Sequence, residues 1–181
     1  FSEAAQSDLS TLTPLMYLII AGFLVIATRS MSGTIATVIV IALSAAAAMG
    51  FGSWLNIPVS PPVSGAPVII LTVAVADCVH LLITALVARG NGAEKKQAII
   101  ESLSINAQPV FLTSVTTAIG LFSLNFSDAP PYRDLGTLSG FGALFAWVLS
   151  MSLFPALLTL MPMGASKSVN LQSRIMGRFA D

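Results

Sequence analysis

The sequence predicts an all-α membrane protein built as a five-span helical bundle. Hydrophobic residues make up 55% of the 181 residues and charged residues only 9%, against about 25% charged residues in an ordinary soluble domain. The mean hydropathy of +0.88 agrees with this balance. Five stretches come close to the roughly 20 apolar residues that a helix needs to cross the hydrocarbon core. These observations exclude a water-soluble globular domain.

The predicted spans are separated by segments that break helices. Residues 56–65 contain three prolines, which lack amide donors, and therefore predict a loop. Residues 89–92, with two glycines, predict a second break. The amphipathic segment after that break, about residues 93–105, predicts a short helix on the cytoplasmic surface of the membrane. The five spans are predicted near residues 13–28, 33–53, 67–88, 107–125 and 136–160.

Lys and Arg residues are divided unevenly between the two ends of the predicted spans. Such residues resist translocation, so the end that collects most of them is predicted to be cytoplasmic. This orientation puts the N-terminus outside, and it puts residues 163–181 inside as an amphipathic tail. An odd number of spans that begins outside leads us to expect a further span upstream. The external end has only Arg133, and the cytoplasmic end has Arg29, Arg89, Lys95, Lys96, Lys167, Arg174 and Arg178.

Asp77 is the one acidic residue predicted to lie in the middle of a span. A carboxylate at mid-bilayer costs about 2.5 to 3.5 kcal/mol on insertion scales, so we expect it to face protein or water. Such a group can take up a proton from one side of the membrane and release it to the other. At helical spacing, His80 and Thr84 join Asp77 in one polar edge of the third span. The alternative is that Asp77 is a neutral structural carboxyl and that His80 bonds only a backbone carbonyl.

Small and hydroxylated residues follow one side of the fourth predicted span. In lipid such residues let helices pack closely, and packing is the first interpretation of this stripe. Thr116, together with Thr117 beside the stripe, is the member expected to reach a proton-carrying carboxyl. The fifth span begins with a G-x-x-x-G pattern at Gly136 and Gly140, which predicts a close helix contact. The stripe consists of Thr113, Thr116, Gly120, Ser123 and Ser127.

Four motifs occur in order along the chain: ADCVHLL at 76–82, PVFLTSVTTAIG at 109–120, PPYRDLG at 130–136 and FPALL at 154–158. In this order they resemble the RND superfamily, and within it the MMPL-like branch of hydrophobe/amphiphile exporters, whose membrane half also resembles the sterol-sensing domain. The likeness extends over about residues 1–162. One departure is that many members carry an acidic pair, whereas here Ala76 takes the first position and Asp77 the second.

The resemblance implies that the five spans are the second to sixth helices of a six-helix RND-type half in a bacterial inner membrane. It implies that residues 1–12 are the end of an external porter domain. It further implies export of lipids or other amphiphiles driven by the proton-motive force, with Asp77 as the proton carrier. We place His80, Thr116 and Thr117 with it in a proton relay. The partners implied are membrane lipids, the hydrophobic substrate, a second six-helix half and the porter domains.

Other function classes are less well supported by the sequence. The formal net charge is zero, so no basic surface is available for nucleic acid. One Cys and one His make no metal site, no phosphate-binding G-x-x-x-x-G-K loop occurs, and neither a cofactor nor an enzymatic activity is expected. A lipid-binding or scaffold module that resembles a sterol-sensing domain, without transport, remains the alternative. An intramembrane aspartyl protease would need two facing carboxylates, and this chain offers only Asp77 in a span.

Overall fold

Five α-helices form the part of the chain that the structure describes, residues 13–28 and 30–161 of a computed structural model. Short 3-10 helices at Val63–Gly65 and Ser123–Phe126 precede α3 and follow α4. The predicted end of an external domain, residues 1–12, and the predicted tail, residues 163–181, lie outside the described residues. The helices are α1 Thr13–Thr28, α2 Met31–Trp54, α3 Ala66–Gly90, α4 Lys95–Phe122 and α5 Pro130–Leu160.

The helix ends follow local sequence signals. The Ser30 hydroxyl caps α2 by accepting a hydrogen bond from the Gly33 amide at 3.2 Å. Prolines occupy the first turn of α3 and of α5, where a missing amide proton costs nothing. The predicted break at 89–92 is confirmed, because α3 ends at Gly90 and Gly92 takes a positive φ of 95° in the turn that follows.

Four helices are long and apolar enough to cross a membrane: α2, α3 with its preceding 3-10 turn, α4 with its following 3-10 turn, and α5. The chain is therefore an all-helical, multi-pass membrane protein. The remaining predicted span, the first one at 13–28, corresponds to α1, an apolar helix of 16 residues. At about 1.5 Å per residue it measures about 24 Å, which is less than the roughly 30 Å hydrocarbon core.

The prediction of a separate surface helix at 93–105 is wrong. Residues 95–122 form one continuous helix, α4, which passes through Pro109 without a break. Charged residues that suggested a surface location, such as Glu101, are exposed, but two other polar residues of the same segment have partners within the bundle. Ser102 is buried and its hydroxyl donates to the Leu81 carbonyl oxygen of α3 at 2.6 Å. The Asn106 amide nitrogen donates to the Thr84 hydroxyl of α3 at 2.9 Å.

Helix α5 lies at the centre of the bundle and contacts α2, α3 and α4. Small residues bring the helices close together. Gly52 of α2 lies against Leu138 of α5, and Gly142 of α5 lies against Ile70 of α3. The G-x-x-x-G prediction is confirmed, because Gly136 lies against the Leu121 backbone and Gly140 against the Phe122 ring, both on α4. Close packing of this kind is what holds helices together where no hydrophobic driving force acts between them.

Candidate functional site: the buried carboxylate of α3

Asp77 lies in the middle of α3, 11 residues after Ala66 and 13 before Gly90. Its side chain is only 3% exposed. Among the described residues it is the one charged side chain that is buried. The Ser114 hydroxyl of α4, itself buried, donates a hydrogen bond to Asp77 Oδ2 at 3.2 Å. The carboxylate is thus held at the interface between α3 and α4.

Helix α5 completes the surroundings of the carboxylate. Ser150 is fully buried on α5 and lies near Asp77. Its hydroxyl donates to the Trp147 carbonyl oxygen of its own helix at 2.9 Å. Asp77 therefore sits where three helices meet, with the Ser114 hydroxyl as its hydrogen-bond partner. Buried charges in proteins require partners of this kind.

A cleft of about 210 Å³ opens beside Asp77 between α3 and α4. It is large enough for several water molecules, since one water takes about 30 Å³ in the liquid. Four hydroxyl side chains and the carboxylate are among its lining residues. The lining residues are Thr72, Val73, Ala76, Asp77, Thr113, Ser114 and Thr117.

On the C-terminal side of Asp77, α3 packs into an apolar cluster. Cys78, Leu81 and Leu82 of α3 are buried there against Phe154 and Leu158 of α5 and Ile99 of α4. The cavity in this cluster measures about 10 Å³, which is at the lower limit for one water. The two sides of Asp77 therefore differ: one borders a polar cleft and the other a dry core.

The three residues of the predicted polar edge, Asp77, His80 and Thr84, lie in different surroundings. Asp77 points between α4 and α5, whereas His80 is exposed. The Thr84 hydroxyl donates to the His80 carbonyl oxygen at 2.9 Å and accepts from Asn106 of α4. Thr84 thus contributes to the contact between α3 and α4, at a distance of two helical turns from Asp77.

The two threonines expected near the carboxyl also separate. Thr117 lines the cleft together with Asp77. Thr116 is exposed, and its hydroxyl donates to the Leu112 carbonyl oxygen of its own helix at 2.8 Å. Of the four residues predicted for the relay, the structure brings Asp77 and Thr117 to one cleft and leaves His80 and Thr116 outside it.

Comparison with known families identifies the chain. A family model for the MMPL family matches residues 1–179, nearly the whole sequence. The chain belongs to the MMPL family. This membership confirms the resemblance to MMPL-like members of the RND superfamily, whose members are transporters, and makes the chain the membrane segment of an RND-type transporter. Among curated proteins, no sequence matches the chain significantly.

In this MMPL protein, sequence reasoning missed two buried serines close to the carboxylate, Ser114 and Ser150. Both belong to rows of buried residues at helical spacing. Ser114 lies between Val110 and Ala118 on the buried face of α4, and Ser150 continues the buried row of Ser139, Ala143 and Ala146 on α5. A search for polar residues within small, buried rows could have found them.

Proposed function

We propose that the chain is the membrane segment of an exporter of lipids or other amphiphiles that is driven by the proton-motive force, with Asp77 as the proton carrier. The observation that carries the proposal is one buried carboxylate, held by a serine hydroxyl and open to a polar cleft within the spans. The proposed substrate class is based on membership of the MMPL family. It is not based on any pocket in the described helices.

The surroundings of Asp77 suit both charge states of a proton carrier. As a carboxylate, it accepts a hydrogen bond from the Ser114 hydroxyl. As a neutral acid, it has its own proton to donate and needs fewer donors. Gain or loss of the proton therefore changes the hydrogen bonding between the carboxyl and its neighbouring helices. The preferred packing of α4 and α5 changes with it.

The difference between the two sides of Asp77 supports alternating access. Water that enters the cleft beside Thr72, Thr113 and Thr117 would give protons a route to the carboxyl from one side. On the other side, Leu81 and Phe154 close the route with a dry cluster. A proton that enters through the cleft leaves by the opposite side only after this cluster opens. Each charge that crosses carries about 2.3 kcal/mol per 100 mV of membrane potential.

We extend the proposal to topology. Helix α1 is the first of five spans, which form the second to sixth helices of an RND-type half in a bacterial inner membrane. The end of the bundle with Arg89, Lys95 and Lys96 is cytoplasmic and the end with Arg133 is external. The Lys95 ammonium group donates to the Thr159 carbonyl oxygen, so the start of α4 and the end of α5 lie at the same end of the bundle. This contact supports the division. Residues 1–12 are the end of the porter domain, and residues 163–181 are the cytoplasmic tail.

Under this proposal, the predicted relay residues have different roles. Thr117, with Ser114, belongs to the proton path through the cleft. His80 and Thr116 face away from the described helices, so a role for either requires contact with another element of the full protein, such as the second six-helix half. The partners that we propose remain membrane lipids, the exported substrate, that half and the porter domains.

The decisive test is Asp77→Asn in the full protein, reconstituted into liposomes with an imposed proton gradient and a fluorescent lipid as substrate. Asparagine keeps the size of the side chain and cannot carry a proton, so we expect export that depends on the gradient to be lost. Asp128→Asn removes an exposed carboxylate and serves as the matched control with export retained. Export by Asp77→Asn at the control rate would contradict the proton-carrier role.

The alternative of a lipid-binding or scaffold module predicts a different outcome of the same experiment. A photoactivatable lipid would then label the helices, and no variant and no proton gradient would alter lipid movement. Labelling together with flux that depends on the gradient would instead support the exporter.

A further inference from the structure

Between Ser102 and Ser114, the face of α4 that meets α3 carries a polar side chain at every place but one. Ser102 and Asn106 donate hydrogen bonds to α3, and Ser114 donates to Asp77. These residues recur every four positions, and Val110 takes the remaining place in this buried row. Residues four apart share a helix face, so Val110 also faces α3. It is only 2% exposed.

On the C-terminal side of Asp77 along α3, three polar residues form a separate cluster. The Asn106 amide nitrogen donates to the Thr84 hydroxyl at 2.9 Å and to the Ser102 carbonyl oxygen at 2.8 Å. The Ser102 hydroxyl donates to the Leu81 carbonyl oxygen at 2.6 Å. Ser102 also lines the cavity of about 10 Å³, which is at the lower limit for one water. We call Thr84, Ser102 and Asn106 the inner polar cluster.

Val110 thus separates two polar regions of the same interface. On one side are Asp77 and its cleft, and on the other side is the inner polar cluster. Asn106 and Ser114 are eight residues apart, or about 12 Å along α4. A chain of waters would need several hydrogen bonds of about 2.8 Å to cross this gap. Val110 offers these waters no polar group, and space lined by apolar side chains stays dry.

We propose that Val110 is an apolar gate for protons between Asp77 and the inner polar cluster. The proposal rests on the proposed function, in which Asp77 takes up a proton from the cleft. On α4 the gate completes the closure that Leu81 and Phe154 provide toward α5. When the interface opens at Val110, water joins the two polar regions, and the Asp77 acid gives its proton to this water and becomes a carboxylate. The hydroxyls and the amide keep their own protons and hold the water by hydrogen bonds.

Few other titratable groups of the described helices lie near this route. On α3 the neighbours of Asp77 are the buried Cys78 thiol and the exposed His80. On α4 the nearest charged residue is the exposed Glu101, which lies beyond the inner polar cluster. Helix α2 has none, and the side chain of Tyr17 on α1 lies outside the described atoms. The remaining groups lie at the helix ends and are Arg89, Lys95, Lys96, Tyr132, Arg133 and Asp134.

The test measures the passive proton leak of the full protein in liposomes with an imposed pH gradient, an internal pH-sensitive dye and no substrate. Val110→Thr keeps the shape of the side chain and puts a hydroxyl in the middle of the gap. About 6 Å then remains on either side, which one water bridges with two hydrogen bonds. We expect the leak to rise about tenfold over the parent, equivalent to a barrier lower by about 1.4 kcal/mol. Val110→Ser, which cannot overpack the site, repeats the test.

Two control variants should leak at the parent rate. Val110→Ile disturbs the packing at the same site without adding a polar group. Val63→Thr adds the same hydroxyl at a valine that is 1% exposed and belongs to a different apolar cluster. In the Val110→Thr protein, a second substitution, Asn106→Leu or Asp77→Asn, should return the leak to the parent rate, because each removes one end of the route. Circular dichroism checks that every variant keeps its helices.

The two proposals fail in different ways. A leak at the parent rate in folded Val110→Thr and Val110→Ser, or an equal rise in Val110→Ile, would overturn the gate. So would a Val110→Thr leak that Asn106→Leu does not reduce, because the protons would then bypass the inner polar cluster. A leak that Asn106→Leu removes and Asp77→Asn leaves intact would instead contradict Asp77 as the proton carrier, and with it the proposed function.

Discussion

Substitution of Gly136 by Ala tests a close helix contact that is made with the backbone of the neighbouring helix. A Cβ atom at this position would lie 2.6 Å from the Leu121 carbonyl oxygen and 2.7 Å from Leu124 Cβ. Ordinary van der Waals contact for such an atom begins at 3.4 Å, so α5 must move away from the end of α4 by about 0.8 Å. The obstacle is backbone, and no side-chain rotation can relieve it.

Gly50→Ala is the matched control, because a Cβ at Gly50 meets nothing within 4 Å. Both glycines are in helix interiors, so the gain of about 1 kcal/mol in helix propensity applies to both variants and cancels. What remains is the cost of overpacking, typically about 1–3 kcal/mol. We expect the free energy of unfolding of Gly136→Ala to be lower than that of Gly50→Ala by this amount.

The assay is unfolding in mixed detergent micelles at increasing SDS fraction, followed by circular dichroism on both variants and the parent. A Gly136→Ala protein as stable as Gly50→Ala would refute the packing of α5 against the end of α4. The reasoning would also fail if both variants lost stability equally, since open space at Gly50 predicts no loss.

Two further predictions concern contacts between helices. Asn106→Ala removes the hydrogen bond to Thr84 and should lower the free energy of unfolding by about 0.6 to 1.7 kcal/mol, whereas the exposed Gln108→Ala should leave it unchanged in the same SDS titration. Lys95→Ala removes the donor to the last carbonyls of α5, so amide hydrogen exchange in the final turn of α5 should accelerate. Lys96→Ala should not change this exchange, and equal rates in the two lysine variants would argue against the cap.

Much of the fold could be predicted because its signals are local. The third predicted span, 67–88, nearly matches α3, Ala66–Gly90, since proline and glycine residues mark both ends. The fourth, 107–125, misses the first three turns of α4. In those turns the apolar pattern is interrupted by charged residues and also by Ser102 and Asn106. The Ser102 and Asn106 side chains bond to α3 rather than to water, and such partners cannot be seen from one segment.

The candidate site divides in the same way. Asp77 could be predicted because an acid in the middle of an apolar span is costly wherever the other helices lie. The structure brings Thr117 to the cleft beside the carboxyl and leaves Thr116, one residue earlier, exposed. Adjacent helix positions differ by about 100°, so the choice between them depends on which side of α4 meets α3.

By itself the sequence determined the class of protein, the main helix breaks, the buried acid and the small residues that permit close contact. Each of these depends on properties of one segment: its hydropathy, its prolines and glycines, and the cost of a charge in lipid. Only the tertiary structure decided that Gly136 meets Leu121, that Ser114 meets Asp77, and that the cleft opens on one side of the carboxyl. Helical periodicity fixes which residues share a face, but the partner of that face is set by packing between segments distant in sequence.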